Sequence, residues 1–136
     1  MPQWVILSFI SLALWGVWGL FAKLAAKNLS PQSLMVFSGI GGLVITFVVL
    51  ASLNFRPGVH AKGVALALLA GLVGSLGTIP FLYAISKGKA SIVVPMTALY
   101  PLVTIILSAL ILREAITLNQ GLGILFALIA IILFSL

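Results

Sequence analysis

The chain of 136 residues has no cysteine, a single histidine and a single acidic residue. Without cysteine there are no disulfides, no thiol nucleophile and no thiolate metal site. One His and one Glu cannot form a metal cluster, a carboxylate pair or a catalytic triad, so no enzyme, metal or cofactor is expected. Charged residues make up only 6% of the chain, against about 25% in ordinary soluble domains. Eight formal charges cannot clothe a water-soluble globule of this size. The same scarcity excludes disorder, because disordered chains are polar and highly charged. What is abundant is apolar: 63% of residues are hydrophobic. The seven Lys and Arg give a sequence pI near 10.4. They are scattered singly or in twos, so the basic balance does not indicate nucleic acid. The remaining class is an integral membrane protein.

The charges cut the chain into spans. Lys23 and Lys27, then Arg56, His60 and Lys62, then Lys87 and Lys89, then Arg113 and Glu114 separate stretches that carry no charge. Every such stretch is long enough to cross a bilayer core, which takes about 20 apolar residues. The sequence therefore predicts an all-α polytopic membrane protein of five transmembrane helices joined by short loops. The predicted spans are 4–25, 31–53, 62–85, 91–112 and 117–136, in one domain over 1–136. Ser30-Pro31 supplies an N-cap followed by proline at the first helical position. Asn54 to Gly58 forms a turn. Lys87-Gly88-Lys89 offers a glycine C-cap with cations at a helix C-terminus. Thr117 and Gln120 have capping-box spacing. The first apolar segment lacks the basic leader and cleavage site of a signal peptide, so it is expected to stay as a helix.

Orientation is poorly determined. Arg56, Lys62 and Arg113 fall on one side, and Lys23, Lys27, Lys87 and Lys89 on the other. This near balance leaves the positive-inside rule little to choose between. Insertion in both orientations is one expectation; a weakly biased single orientation is the other.

Within the spans, two polar stripes stand out. Ser8, Ser11, Trp15 and Trp18 share one face of the first helix by their spacing. Trp4 suits the interfacial belt, but Trp15 and Trp18 lie too deep for it. They either pack on a neighbouring helix or line a cavity. Thr97, Pro101, Thr104 and Ser108 form the second stripe, beside Tyr100. Proline cannot donate a backbone hydrogen bond and disturbs the carbonyl four residues earlier. Pro80, Pro95 and Pro101 thus disturb the carbonyls of Leu76, Ser91 and Thr97, and are the candidate hinges. The hydroxyls beside them either serve a cavity or bond back to their own helices. Lys23 lies about 28 Å along the helix from Trp4. It either snorkels to the interface or meets an anionic solute group. The runs Ala67, Gly71, Ser75 and Ala70, Gly74, Thr78, with Gly39, Gly41 and Gly42, suggest tight helix packing. Glu114 is expected to pair locally with Arg113.

Two stretches carry a resemblance: LWGVWGLFAKLAAKNLSP at 14–31 and ASIVVPMTALYPLVTIILSALILREAITLNQGLGILFALIAIILFS at 90–135. With Trp15-Gly16 followed by Lys23, and the Arg-Glu pair followed by Thr117, Gln120 and Gly121, the sequence resembles the EamA-like domain of the drug/metabolite transporter superfamily. Such proteins commonly hold two inverted five-helix halves, and this chain resembles one half. The resemblance implies a multi-pass transporter of a bacterial or archaeal plasma membrane, carrying a small-molecule solute; five helices enclose little space alone, so the chain is expected to work as a homodimer, antiparallel or parallel. The expected solute site lies between Ser11, Trp15 and Trp18 on one side and Thr97, Tyr100 and Thr104 on the other. A flippase subunit for lipid-linked sugars and a non-transporting membrane scaffold are the alternatives. Small multidrug-resistance transporters place a Glu inside the first helix, and this chain has none there.

Overall fold

The computed structural model describes residues 2–135, with side chains through residue 133. Leu136, the end of the fifth predicted span, lies outside the described residues. The described residues are almost entirely helical: α1 (Gln3–Ala25), α2 (Pro31–Ser52), α3 (Ala61–Lys87), α4 (Ala90–Thr97), α5 (Tyr100–Leu107), a π-helical turn (Ser108–Leu112) and α6 (Leu118–Ser135). The first three helices and the 90–112 stretch are long and apolar enough to cross a membrane, and α6 is a shorter apolar helix. Large apolar side chains cover most of the outer surface, from Phe9 and Leu12 to Leu110 and Phe126. Such a surface suits hydrocarbon, where helices satisfy every backbone polar group internally. The protein is a multi-pass membrane protein.

The helix ends follow their local chemistry. Ser30 Oγ accepts from the Ser33 N–H at 3.2 Å, and Pro31 opens α2 where no donor is needed. At α6 the Thr117 N–H donates to Gln120 Oε1 at 2.9 Å, and the Gln120 N–H to Thr117 Oγ1 at 3.3 Å. This is the reciprocal capping box read from the sequence. His60 Nδ1 accepts from the Gly63 N–H at 3.3 Å and caps α3.

Gly88 follows the last residue of α3, but no glycine is left-handed among the described residues. The left-handed positions are Asn54, Phe55 and Arg113, and Gly88 is not one of them. A phenylalanine with φ of 58° is strained. Here Phe55 meets Phe47 edge-on at 5.9 Å, and its N–H donates to the Leu50 carbonyl at 3.0 Å. Those contacts offset the strain and turn the chain off α2.

The fourth predicted span is not one helix. It breaks at Ala98 and Leu99, between α4 and α5. The cause is Pro101, which has no N–H for the Thr97 carbonyl. The Leu99 N–H falls back on the Met96 carbonyl at 3.4 Å in a tighter turn. Beyond α5 the backbone widens into the π-helical turn. It stops at Arg113, whose left-handed backbone lets the next N–H, that of Glu114, donate to the Ser108 carbonyl at 3.4 Å. By contrast α3 runs unbroken through Pro80, and α4 through Pro95.

The chain forms two compact units, residues 1–87 and 88–136. In the first, α1, α2 and α3 meet at one end, where Gly19, Ala22, Leu34, Leu82 and Ile85 are buried. Away from this cluster the three helices stay exposed. In the second unit, α4 packs on α6.

Candidate functional site

The first unit has an open groove of about 350 Å³ between its three helices, lined by Trp18, Met35, Ser38, Gly39, Ala70, Gly71, Gly74, Ser75 and Thr78, most of them exposed. That volume is within the range that accommodates small metabolites. Its wall is built from the two small-residue runs of α3. Their glycines were expected at tight helix contacts, and this expectation fails within the unit. A Cβ added at Gly39, Gly71 or Gly74 would meet nothing within 4 Å. The small side chains leave room there instead of bringing helices together.

Trp18 forms the inner edge of the cavity. Its ring stacks on Phe81, with centroids 5.1 Å apart and planes 20° apart. Just past the stack lies the buried cluster of Gly19, Ala22, Leu34, Leu82 and Ile85. Two polar contacts complete this end. Lys23 Nζ donates to the Ile85 carbonyl at 2.8 Å, and the Gln32 amide donates to the Tyr83 hydroxyl. The cavity is thus stoppered on the side of the α1–α2 connection.

The hydroxyls largely serve their own helices. Thr78 Oγ1 donates to the Gly74 carbonyl at 2.9 Å and Ser38 Oγ to the Met35 carbonyl at 3.1 Å. In the second unit Thr97 Oγ1 donates to the Val93 and Val94 carbonyls, each at 3.0 Å, and Thr104 Oγ1 reaches the Tyr100 carbonyl at 3.5 Å. Each hydroxyl keeps a lone pair to offer, so these groups present acceptors more than donors.

The second unit holds a cavity of about 460 Å³, lined by polar Thr104, Ser108, Glu114 and Gln120 among apolar Ile105, Ile116 and Ile124. No ion pair joins Arg113 and Glu114 among the described residues, so the expected local pairing fails. The left-handed Arg113 ends the π-helical turn, and the chain leaves it extended.

The expected site residues are therefore distributed. Trp18 lines the first cavity and Thr104 the second. Ser11, Trp15, Thr97 and Tyr100 line neither. Met35 and Ser38 went unmarked in the sequence, since an isolated Ser or Met inside an apolar span carries no periodic signal. Gly71, Gly74, Ser75 and Thr78 were marked for packing.

Comparison with known proteins agrees with this architecture. Residues 2–136 match the EamA-like transporter family. The chain belongs to the EamA-like transporter family. It is also 32% identical over 131 residues to "Uncharacterized protein MJ1333.1" of Methanocaldococcus jannaschii, covering 96% of this chain and 95% of that one. No solved structure matches it. The family match gives the two grooves their context: they lie in a transporter-family chain whose helices expose mostly apolar side chains.

The two deep tryptophans now separate. Trp18 borders a cavity and Trp15 does not. Trp18→Phe keeps the stack on Phe81 and removes the indole donor. It is expected to weaken binding of a ligand in this cavity by about 0.5–1.5 kcal/mol, the net worth of one hydrogen bond. Trp4→Phe, at the start of α1 and away from the cavity, should leave affinity unchanged. Equal losses in both variants, measured by titration of the purified protein, would remove Trp18 from the site.

Proposed function

We propose that this EamA-like protein moves a small solute or metabolite across a bacterial or archaeal plasma membrane by alternating access, as a homodimer of five-helix halves. The observation that carries the reading is the cavity walled by Gly39, Gly71, Gly74, Ser38, Ser75 and Thr78 inside three otherwise apolar helices. The stopper at one end and the exposed helices beyond it fit a chamber closed on one side. The archaeal relative is matched over 95% of its own length. A chain of this extent thus recurs in a relative, and the second copy that completes the pathway is part of the proposal. Thr97, Tyr100 and Thr104, with the break before Pro101, are the residues proposed to take part from the second unit; Pro80 and Pro95 are the further proposed hinges. Ser11 and Trp15 remain proposed site residues on the face of α1 that also bears Trp18.

The test is a thermal-unfolding screen of the purified protein against a metabolite library. A ligand at about 100 times its dissociation constant stabilises by roughly 2.7 kcal/mol. Reproducible stabilisation by one chemical class, lost on filling the cavity, is expected. A library that never shifts the unfolding curve would contradict the reading.

Orientation has its own test. From the balance of three Lys and Arg against four, the chain is expected to insert both ways and to pair antiparallel. Gly58→Cys in this cysteine-free chain should react with impermeant reagents from both faces of the membrane. Two lysines added on one side should restrict it to a single face. Reaction from one face only in the unmodified background would exclude the antiparallel pair.

A further inference from the structure

Resting on the transporter reading above, we infer that the stopper of the first unit is a gate clasped by Lys23, and that the solute carries an anionic group which Lys23 takes in exchange for the Ile85 carbonyl. The layers are in sequence along the unit. The cavity ends at the Trp18–Phe81 stack. Gly19, Ala22, Leu34, Leu82 and Ile85 form the plug behind it. The Lys23 ammonium holds the plug by donating to the Ile85 carbonyl at 2.8 Å.

Ile85 lies in the last turn of α3, which ends at Lys87. Carbonyls there have no intrahelical partner, and the helix dipole makes that end attractive to a cation. One side chain of α1 thereby ties down the end of α3. The plug itself is thin: two of its five members are Gly19 and Ala22.

The charge inventory selects the solute. Residues 1–87 contain Lys23, Lys27, Arg56, Lys62 and Lys87, with no Asp or Glu. An anion entering the first cavity meets no repelling carboxylate in that unit. Lys23 is five residues beyond Trp18, on a flexible stem. An anionic acceptor adds to the ammonium's hydrogen bond a Coulomb attraction that a neutral carbonyl lacks. An anionic group at the plug therefore draws Lys23 away from Ile85 and frees the end of α3. Binding and opening are then one event.

The test uses Ala22→Cys, a plug position 5% exposed, in a chain with no other thiol. Its reaction with a water-soluble maleimide is expected to be slow. Adding Lys23→Met should speed it by about ten- to hundredfold, the effect of losing one charged hydrogen bond. Lys23→Arg keeps the charge and should stay slow; circular dichroism of each variant checks that the helices persist. Benzoate, benzylammonium and benzyl alcohol then serve as probes of one shape and three charges. Benzoate alone should speed labelling, and only with Lys23 present. Unchanged labelling in Lys23→Met, no response to benzoate, or an equal response to benzylammonium would each overturn the proposal. Ser38→Cys, inside the cavity, separates the levels of failure. A reactive thiol there with a Lys23-indifferent thiol at position 22 removes the gate and leaves the chamber; an unreactive thiol at position 38 removes both.

Discussion

Gly74→Leu should abolish ligand binding to the first cavity while leaving the protein at least as stable as before. Gly74 lines that cavity of about 350 Å³, and a Cβ at its position meets nothing within 4 Å. The first carbon that leucine adds there meets no neighbour, and the open groove leaves room for the rest. The helix gains up to about 1 kcal/mol from replacing glycine with a good helix former. Affinity should fall at least tenfold, or about 1.4 kcal/mol, because the ligand and the new side chain claim the same volume. The contrast with tight packing is sharp. If Gly74 were a contact between helices, the same substitution would overpack the bundle and cost about 1–3 kcal/mol. Unfolding and ligand titration of one variant therefore separate a chamber from a helix seam. Destabilisation with unchanged affinity would return Gly74 to the packing role.

Pro101→Ala should join α4 and α5 into one helix. The variant regains an N–H for the Thr97 carbonyl and loses the ring that disturbs the preceding turn. Restoring one backbone hydrogen bond contributes about 0.5–1.5 kcal/mol, and removing a helix-interior proline relieves up to about 3 kcal/mol. The variant should thus be more stable. It should also transport at least tenfold more slowly if the break at Ala98 and Leu99 is where the second unit bends. Higher stability with undiminished transport would make the break a passive consequence of the proline. Pro95→Ala, at a proposed hinge through which α4 already continues, should slow transport less than Pro101→Ala.

What could be read in the sequence, and what could not, divides along physical lines. The charges at Lys23 and Lys27, Arg56 to Lys62, Lys87 and Lys89, and Arg113 and Glu114 marked every span boundary, because a charge is costly in hydrocarbon. The Ser30-Pro31 start and the Thr117/Gln120 box are short-range hydrogen-bond chemistry, so spacing alone was sufficient. The break before Pro101 was foreshadowed by the missing N–H, but its extent was not. The π-helical turn and the left-handed Arg113 answer to backbone relaxation that no residue there announces.

The site was legible only in part. Trp18 was marked as too deep for an interfacial belt, and it borders a cavity. Trp15 carried the same signal and lines neither cavity, since one helical face is wider than one pocket wall. Gly71 and Gly74 were visible as a small-residue pattern, but that pattern is the same whether small residues admit a helix or leave a void. Only the neighbours decide, and they come from α1 and α2. Lys23 illustrates the same limit. Its depth along the helix was evident, whereas its partner, the carbonyl of Ile85, lies 62 positions away.

The most direct test of the chamber is the chemistry of a single thiol at Ser75. In a cysteine-free background, Ser75→Cys lines the cavity, while Leu72→Cys on the same helix replaces a side chain that is 62% exposed on the apolar surface. In lipid vesicles a water-soluble maleimide should react with position 75 and not with position 72. A ligand found by unfolding shifts should protect position 75 from that reaction. Equal inertness of both positions, or reaction at 75 that no ligand slows, would contradict the account.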